Sequence, residues 1–261
     1  MIKGRIGVGV ITFNRLPLFI NCINSIPPVE RLVVVNDGEP YPESSYPQII
    51  TKIIQHRKNK GVGISKNDAL RYLLDEECEH IFLCEDDIKI KNINVFNNYI
   101  RIAENASLPH LNYGLHGPAN KTVTGTPNPR KVIKVSPRDR VVFYQYPVGA
   151  FSYYHRSIIE KIGLMDEFYK NFHEHVDHTL KIIKAGYHPP YGWFADIENS
   201  DDFIEDLDPN LSYSRHRKPH WYFLLRNYGF FVYYTIKNGI RREGTEEEFN
   251  NFIRLILARR I

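Results

Sequence analysis

The sequence predicts an α/β protein with a mostly parallel central sheet and helices on both of its faces. Two observations predict it. Short runs rich in Val and Ile alternate with amphipathic helical stretches through the first half of the chain, the pattern of strands joined by crossover helices. Three of those runs also end in polar clusters, at 12–14, 36–38 and 85–87. A parallel sheet gathers such clusters along its carboxyl edge, where open α/β sheets bind ligands.

The elements follow in order. Residues 6–12 are Val- and Ile-rich and read as a buried strand. Asn14 is expected to cap the next helix, with Pro17 in its first turn and Leu18, Cys22, Ile23 and Ile26 on one face, until Pro27-Pro28 ends it. A second strand at 32–35 stops at the turn Asn36-Asp37-Gly38, and a proline-rich loop at 40–47 leads to a third strand at 49–55. Asn59-Lys60-Gly61-Val62-Gly63 opens a helix with Ile64, Leu70, Leu73 and Leu74 on one stripe. The fourth strand, 81–84, runs straight into Glu85-Asp86-Asp87. Beyond it, residues 114–130 form a Gly-, Pro-, Asn- and Thr-rich loop. Strands are expected at 132–135 and 141–146, and helices at 156–162 and 174–185, the latter ended by Gly186. Residues 196–208 are strongly acidic. Thr245 and Glu248 make a capping box for a last helix with Phe249, Phe252, Ile253 and Ile256 on its apolar face.

Composition narrows the class. The 261 residues, 43% hydrophobic and 25% charged, suit an enzyme with a sizeable core, near the upper size of one domain. A net charge of +4 is too small for a nucleic-acid partner, which needs a concentrated basic face, and it suits an acidic ligand such as a diphosphate. Cys22, Cys78 and Cys84 show neither metal-ligand spacing nor an even disulfide set and read as reduced thiols of a cytoplasmic protein. The apolar run 6–11 is broken by glycines and too short for a signal peptide. The stretch 221–236 is broken by Arg226 and Asn227 and is no membrane span, while its Trp, Tyr and Phe content leaves peripheral contact at the cytoplasmic membrane face open.

Glu85-Asp86-Asp87 is the strongest chemical signal. Three adjacent carboxylates behind a buried strand need neutralising, and Mg²⁺ or Mn²⁺ does so with oxygen ligands shared with substrate phosphates. Taken alone, the triplet reads slightly better as a solvated acidic turn that caps the next helix; its place beside the other clusters reverses that and favours the metal. Asp37 reads as a turn residue or as an acceptor for a nucleobase imide. Gly7 and Gly9 lie inside a strand and Gly61 and Gly63 lack a third glycine, so neither pair is a dinucleotide fingerprint. Gly61 instead lets backbone approach a ligand, with Lys66 and Asn67 one turn on. In His173-Glu174-His175-Val176-Asp177-His178 the spacing matches no zinc signature, but a carboxylate at a helix start facing a pocket is a general base or, equally, a complement to the helix dipole. His216 and His220, among Arg215, Arg217 and Lys218, are suited to complete a metal site or meet a diphosphate, or equally belong to a solvated basic loop.

Together these motifs resemble the inverting glycosyltransferases of family two, which have the GT-A fold. The resemblance runs over residues 5–190: Val8-Gly9-Val10-Ile11-Thr12-Phe13-Asn14-Arg15, Val33-Val34-Val35-Asn36-Asp37-Gly38, Asn59-Lys60-Gly61 with Ser65-Lys66-Asn67, Leu83-Cys84-Glu85-Asp86-Asp87, Pro147-Val148-Gly149-Ala150, Ile162-Gly163-Leu164-Met165-Asp166-Glu167-Phe168 and Glu174-His175-Val176-Asp177. It implies a Rossmann-like nucleotide-binding half over 1–110, an acceptor half over 111–218 and C-terminal helices over 219–261. It implies a UDP-sugar donor held by Thr12, Asn14, Arg15, Asp37, Gly61, Lys66, Asn67 and Asp86, and Mn²⁺ or Mg²⁺ held in a DxD-type motif by Asp87, with Glu85 and His216. The acceptor would be a glycan or lipid-linked saccharide, as in polysaccharide biosynthesis. The family has Glu-Asp where this chain has Glu174-His175, so the base is Glu174, Asp177 or His175, in that order of expectation. Retention of Asp86 and Asp87 argues for a working enzyme. A sugar-phosphate nucleotidyltransferase or a non-catalytic nucleotide- or carbohydrate-binding protein are the alternative readings.

Overall fold

The computed structural model describes residues 4–209, 225, 229, 232–240 and 242–258. A six-stranded sheet runs through it in the order β3-β2-β1-β4-β9-β6. The strands β1 (Ile6–Thr12), β2 (Arg31–Asn36), β3 (Lys52–Gln55) and β4 (His80–Glu85) are mutually parallel. β9 (Phe151–His155) is antiparallel to both β4 and β6 (His110–Asn112). The expected mostly parallel sheet is thus present, and β9 and β6, which periodicity did not single out, widen it.

Both faces are covered, which is why the strands read as continuous apolar runs. Side chains alternate across the sheet. Val8, Val10, Leu32, Val34, Phe82 and Cys84 enter one core with α1 (Leu16–Ser25) and α3 (Val95–Ala106). Val33, Val35, Ile81 and Leu83 enter the other with α2 (Val62–Asp75), α4 (Arg156–Ile162) and α5 (Glu174–Lys184). Gly9 has a packing role here: a Cβ on it would stand 2.8 Å from Ala69 Cβ, so its absence lets α2 lie close to β1.

A three-stranded antiparallel sheet, β10-β8-β7, adds a second layer from β7 (Lys131–Lys134), β8 (Arg140–Tyr144) and β10 (Phe194–Ile197). The helix α6 (Glu246–Ala258) docks on it through Phe249, which stacks on Trp193 at 4.3 Å. Its capping box is formed: Thr245 N donates to Glu248 Oε2 at 2.7 Å and Glu248 N to Thr245 Oγ1 at 3.2 Å. A short ribbon pairs β5 (Ile88–Ile90) with β11 (Ile204–Asp206), so the acidic stretch folds back beside Glu85–Asp87.

Some local expectations are corrected. Asn14 does not cap α1. It takes a left-handed φ of 53°, and its Oδ1 accepts from Glu39 N at 2.8 Å, while Arg15 occupies the cap position. The third strand begins at Lys52, because a turn closed by Ile50 N on Pro47 O precedes it. The strand expected at 141–146 ends at Tyr144. Among the described residues no helix is long and apolar enough to cross a membrane; of the aromatic stretch, residues 232–238 are helical and most of the rest lies outside the described residues.

His110, His178 and His188 are among the buried histidines. Burial pushes all three below the ordinary imidazole range, His178 and His188 to about 4. Each therefore binds its proton more weakly folded than unfolded, so its contribution to stability is present above pH 6.5 and is lost as pH falls toward 4. Burial pushes Asp196 the other way, to about 7, so the effect is read as a difference. His188→Gln is expected to shrink the stability change between pH 7.5 and pH 5 by about 2 kcal/mol relative to the parent in urea titrations. An unchanged difference would contradict the neutral, buried state of His188.

Candidate functional site

The carboxyl ends of β1, β2 and β4 open into a cleft of about 400 Å³. Its lining includes Thr12, Asp37, Glu85 and Asp87 from the strand ends and Glu174 and His175 from the start of α5. The polar clusters that the sequence sets at three strand ends therefore do converge, and the first turn of α5 meets them.

The acidic triplet divides by strand parity. Glu85 continues the face that looks toward α2, and its Oε1 accepts from Lys66 Nζ at 2.7 Å. Asp86 points the other way and is fully buried; Thr12 Oγ1 donates to its Oδ2 at 2.6 Å, and Arg15 ion-pairs with its Oδ1. Burial pushes Asp86 up, to about 7, against the pull of Arg15. Asp87 faces the cleft. Burial opposes its ionisation too, but His116 and Arg15 outweigh burial and hold the carboxyl below the usual range. Arg15 Nη1 reaches Asp87 Oδ2 at 2.8 Å, and the backbone N–H of Arg15 donates to Tyr41 Oη.

His116 approaches Asp87 and Asp206 at one corner of the cleft. His116 Nε2 lies 3.4 Å from Asp87 Oδ1 and 3.5 Å from Asp206 Oδ1. These distances allow charge attraction, which draws His116 up to about 8 against burial, but Asp87 Oδ1 and His116 Nε2 are buried without hydrogen-bond geometry to any partner. Buried polar atoms so placed suit a cation. Among the described residues no group of three His, Cys, Asp or Glu side chains is assembled to hold a metal by itself. Mg²⁺ and Mn²⁺ commonly take one or two protein groups and complete their shells with phosphates and water. Asp208 also lines the cleft, held there because Leu207 N donates to Asp87 O at 2.7 Å.

Asp37 is a buried acceptor at the end of β2. Its Oδ1 takes His56 Nδ1 at 2.6 Å and Lys60 N at 2.7 Å, and its Oδ2 takes Gly61 N at 2.8 Å. A carboxylate offers about four acceptor positions, so one remains on the Oδ2 side. Gly61 has φ of 97°, and Val62 N donates to Lys170 O at 2.7 Å, which lays residues 170–172 along the cleft.

Lys66 is buried and turned to protein acceptors. Its buried ammonium spends all three N–H groups on Glu85 Oε1 and Glu174 Oε1, both at 2.7 Å, and on Gly149 O at 3.0 Å. Burial works against its charge, and Glu174 and Glu85 override burial, so its pKa lies above the usual lysine range. Glu174 in turn is held well below the carboxylate range: burial opposes ionisation, and Lys66 and His175 outweigh it.

Other expected site residues sit elsewhere. Asn67 is a clamp, its Nδ2 donating to Met165 O at 3.0 Å and its Oδ1 accepting from Met165 N at 2.9 Å. Asp177 is fully buried and turned from the cleft; Asn238 Nδ2 donates to it at 2.9 Å and Lys237 Nζ at 3.1 Å. Asn14 is an exposed turn residue outside the cleft. His216, with Arg215, Arg217, Lys218 and His220, lies outside the described residues. His116, Asp206, Tyr41 and His56 were not singled out by the sequence. His116 stands alone between Gly114 and Gly117 with no spacing that ties it to Asp87, and only the acidity of 196–208 hinted at Asp206.

No protein-family model and no curated protein matches this sequence. Solved structures do match in fold. A mannosyltransferase from Pyrobaculum calidifontis, solved with GDP-Man and Mn²⁺, superposes with a TM-score of 0.61 over 97% of this chain and 69% of that one, at 15% identity. GalNAc-T7, solved with UDP, GalNAc and Mn²⁺, superposes with a TM-score of 0.51 over 74% of this chain and 42% of that one, at 10% identity. The fold is the GT-A fold of glycosyltransferases.

The contact at Gly61 is directly testable. A Cβ there would stand 2.4 Å from Lys170 O, at a φ that side chains resist. Gly61→Ala is expected to cost about 2–3 kcal/mol in urea unfolding. A cost under about 0.5 kcal/mol, the level of an ordinary surface substitution, would show that residues 170–172 are not fixed against α2.

Proposed function

We propose that the chain is a metal-dependent glycosyltransferase that moves a sugar from a nucleoside diphosphate donor to an acceptor hydroxyl of a glycan or lipid-linked saccharide, with inversion. The observation that carries this reading is the meeting of two features in one cleft. Asp87 Oδ1 and His116 Nε2 are buried without hydrogen-bond geometry to a partner, and the Glu174–His175 start of α5 lines the same cleft. A single displacement at an anomeric carbon needs those two functions on opposite sides of the sugar: charge stabilisation for the departing diphosphate, and a base for the incoming hydroxyl.

Asp87, with His116 once it has given up its proton, would hold Mn²⁺ or Mg²⁺, which supplies Lewis-acid stabilisation of charge on the diphosphate. Arg15, tied to Asp86 and Asp87, adds positive charge at the same corner. Asp37 supports uracil over guanine. Its one remaining acceptor position matches the single imide N–H of uracil, whereas the adjacent N–H groups of guanine suit a carboxylate with both oxygens open. Residues 170–172 and the turn at 147–150 line the cleft as well and would face the acceptor.

A panel of nucleotide sugars with Mn²⁺ tests the reading. UDP-sugars are expected to raise the melting temperature in proportion to their affinity and to be turned over slowly with water as acceptor. Asp87→Asn is expected to weaken Mn²⁺-dependent UDP binding by roughly tenfold or more in calorimetry and to reduce turnover about 100-fold. No stabilisation and no turnover with any nucleotide sugar would reject it. Pyrophosphate released from a sugar phosphate and a nucleoside triphosphate would assign nucleotidyl transfer instead.

A further inference from the structure

Three side chains of the α5 cluster were candidates for the base, and their surroundings differ. Asp177 is buried against Lys237 and Asn238, away from the cleft. Glu174 is 2% exposed, and its Oε1 is ion-paired to Lys66 at 2.7 Å. A carboxylate so stabilised in its charged form is a weak proton acceptor. His175 lines the cleft with its Nδ1 facing Glu174 Oε1 at 3.2 Å, and among the described residues its Nε2 has no hydrogen-bond partner. Its ring rests on Gly149. A Cβ at 149 would stand 2.5 Å from His175 Cγ and Nδ1, so glycine at that position is what gives the imidazole its seat.

We propose that His175 is the catalytic base of the transfer, and that Glu174 and Lys66 are positioning residues behind it; this rests on the glycosyltransferase reading above. Glu174 accepts the Nδ1–H of His175, which fixes the tautomer that leaves the Nε2 lone pair open toward the cleft. Lys66 keeps Glu174 ionised and in place, and the carboxylate then stabilises the imidazolium as it forms. In the step itself, the proton of the acceptor hydroxyl moves to Nε2 while its oxygen bonds to the anomeric carbon of the nucleoside diphosphate sugar. The bond from that carbon to the diphosphate breaks, and its electron pair leaves on the β-phosphate oxygen. The imidazolium gives its proton to water after the products depart. The arrangement is a carboxylate–imidazole pair of the kind in which the carboxylate orients and the imidazole moves the proton. It also accounts for the histidine that this chain carries where the resembled family carries aspartate.

The test compares His175→Ala, His175→Gln and Glu174→Gln with the parent, using Mn²⁺ and whichever nucleotide sugar the parent turns over. Both His175 variants are expected to lose roughly 10²–10⁴-fold in kcat, with the donor KM and the calorimetric Kd for the nucleoside diphosphate within about threefold of the parent. Added imidazole is expected to raise kcat of His175→Ala about tenfold or more, while leaving His175→Gln, whose side chain fills the space, and Glu174→Gln unchanged. His175→Gln keeps the side-chain bulk and answers the question if the alanine variant does not fold. A kcat for His175→Gln within about threefold of the parent, or no imidazole response in a folded His175→Ala, overturns the assignment and returns the base to Glu174. The parent's own binding and turnover, measured alongside, report separately on the underlying function.

Discussion

One buried charge holds the cleft together. The ammonium of Lys66 reaches from α2 to the end of β4, to the turn before β9 and to the first residue of α5, segments separated by 19, 83 and 108 positions in sequence. Taking a charge out of water is expensive, and removing one partner of a buried pair strands the other. The three segments are therefore held as one unit, and the separation between the acidic strand end and the α5 wall is set by that unit. A lysine suits this junction because its three donors diverge from a single point, whereas the planar fork of an arginine matches two acceptors in one plane.

Asp37 does for the nucleotide end what Lys66 does for the reacting end. Its carboxylate gathers His56 from the residue after β3 and the backbone N–H groups of Lys60 and Gly61 before α2. His56 is fixed from behind by Asp68 at 2.9 Å. The start of α2 is thus pinned to β2 by a buried carboxylate and to residues 166–173 by the Val62–Lys170 backbone bond. Rigid, satisfied polar groups on both sides leave the few cleft atoms that lack partners as the places for a ligand.

Local order was legible wherever short-range rules dominate. The span of β1, the span of α4, the Thr245–Glu248 capping box and the glycine stop at Gly186 all follow from periodicity and end chemistry. The convergence of residues 12–14, 36–38 and 85–87 followed from the parallel sheet alone. What long-range contacts decide was not legible. Asp177 carries the same chemistry as Glu174 three residues earlier, and only the packing of residues 237–238 turns it into an anchor. Lys66 reads as a phosphate-side cation until Glu174, 108 positions away, is brought onto it. His116 has no local signature at all; the β5–β11 ribbon and the bond from Leu207 N to Asp87 O bring Asp206 to it.

The acidic triplet shows how far a strand's parity carries into the chemistry beyond its end. Ile81 and Leu83 face α2, and Glu85 keeps that direction and so meets Lys66. Phe82 and Cys84 face α1, and Asp86 keeps that direction and so meets Thr12 and Arg15, which flank the end of β1 on the same side. Asp87 lies two residues past the paired register, free of either core, and turns to the cleft. Three equivalent carboxylates therefore acquire three different jobs from position alone. Glu85 anchors the lysine, Asp86 anchors the arginine from its buried side, and Asp87, which shares that arginine and faces His116, turns its carboxylate to the cleft.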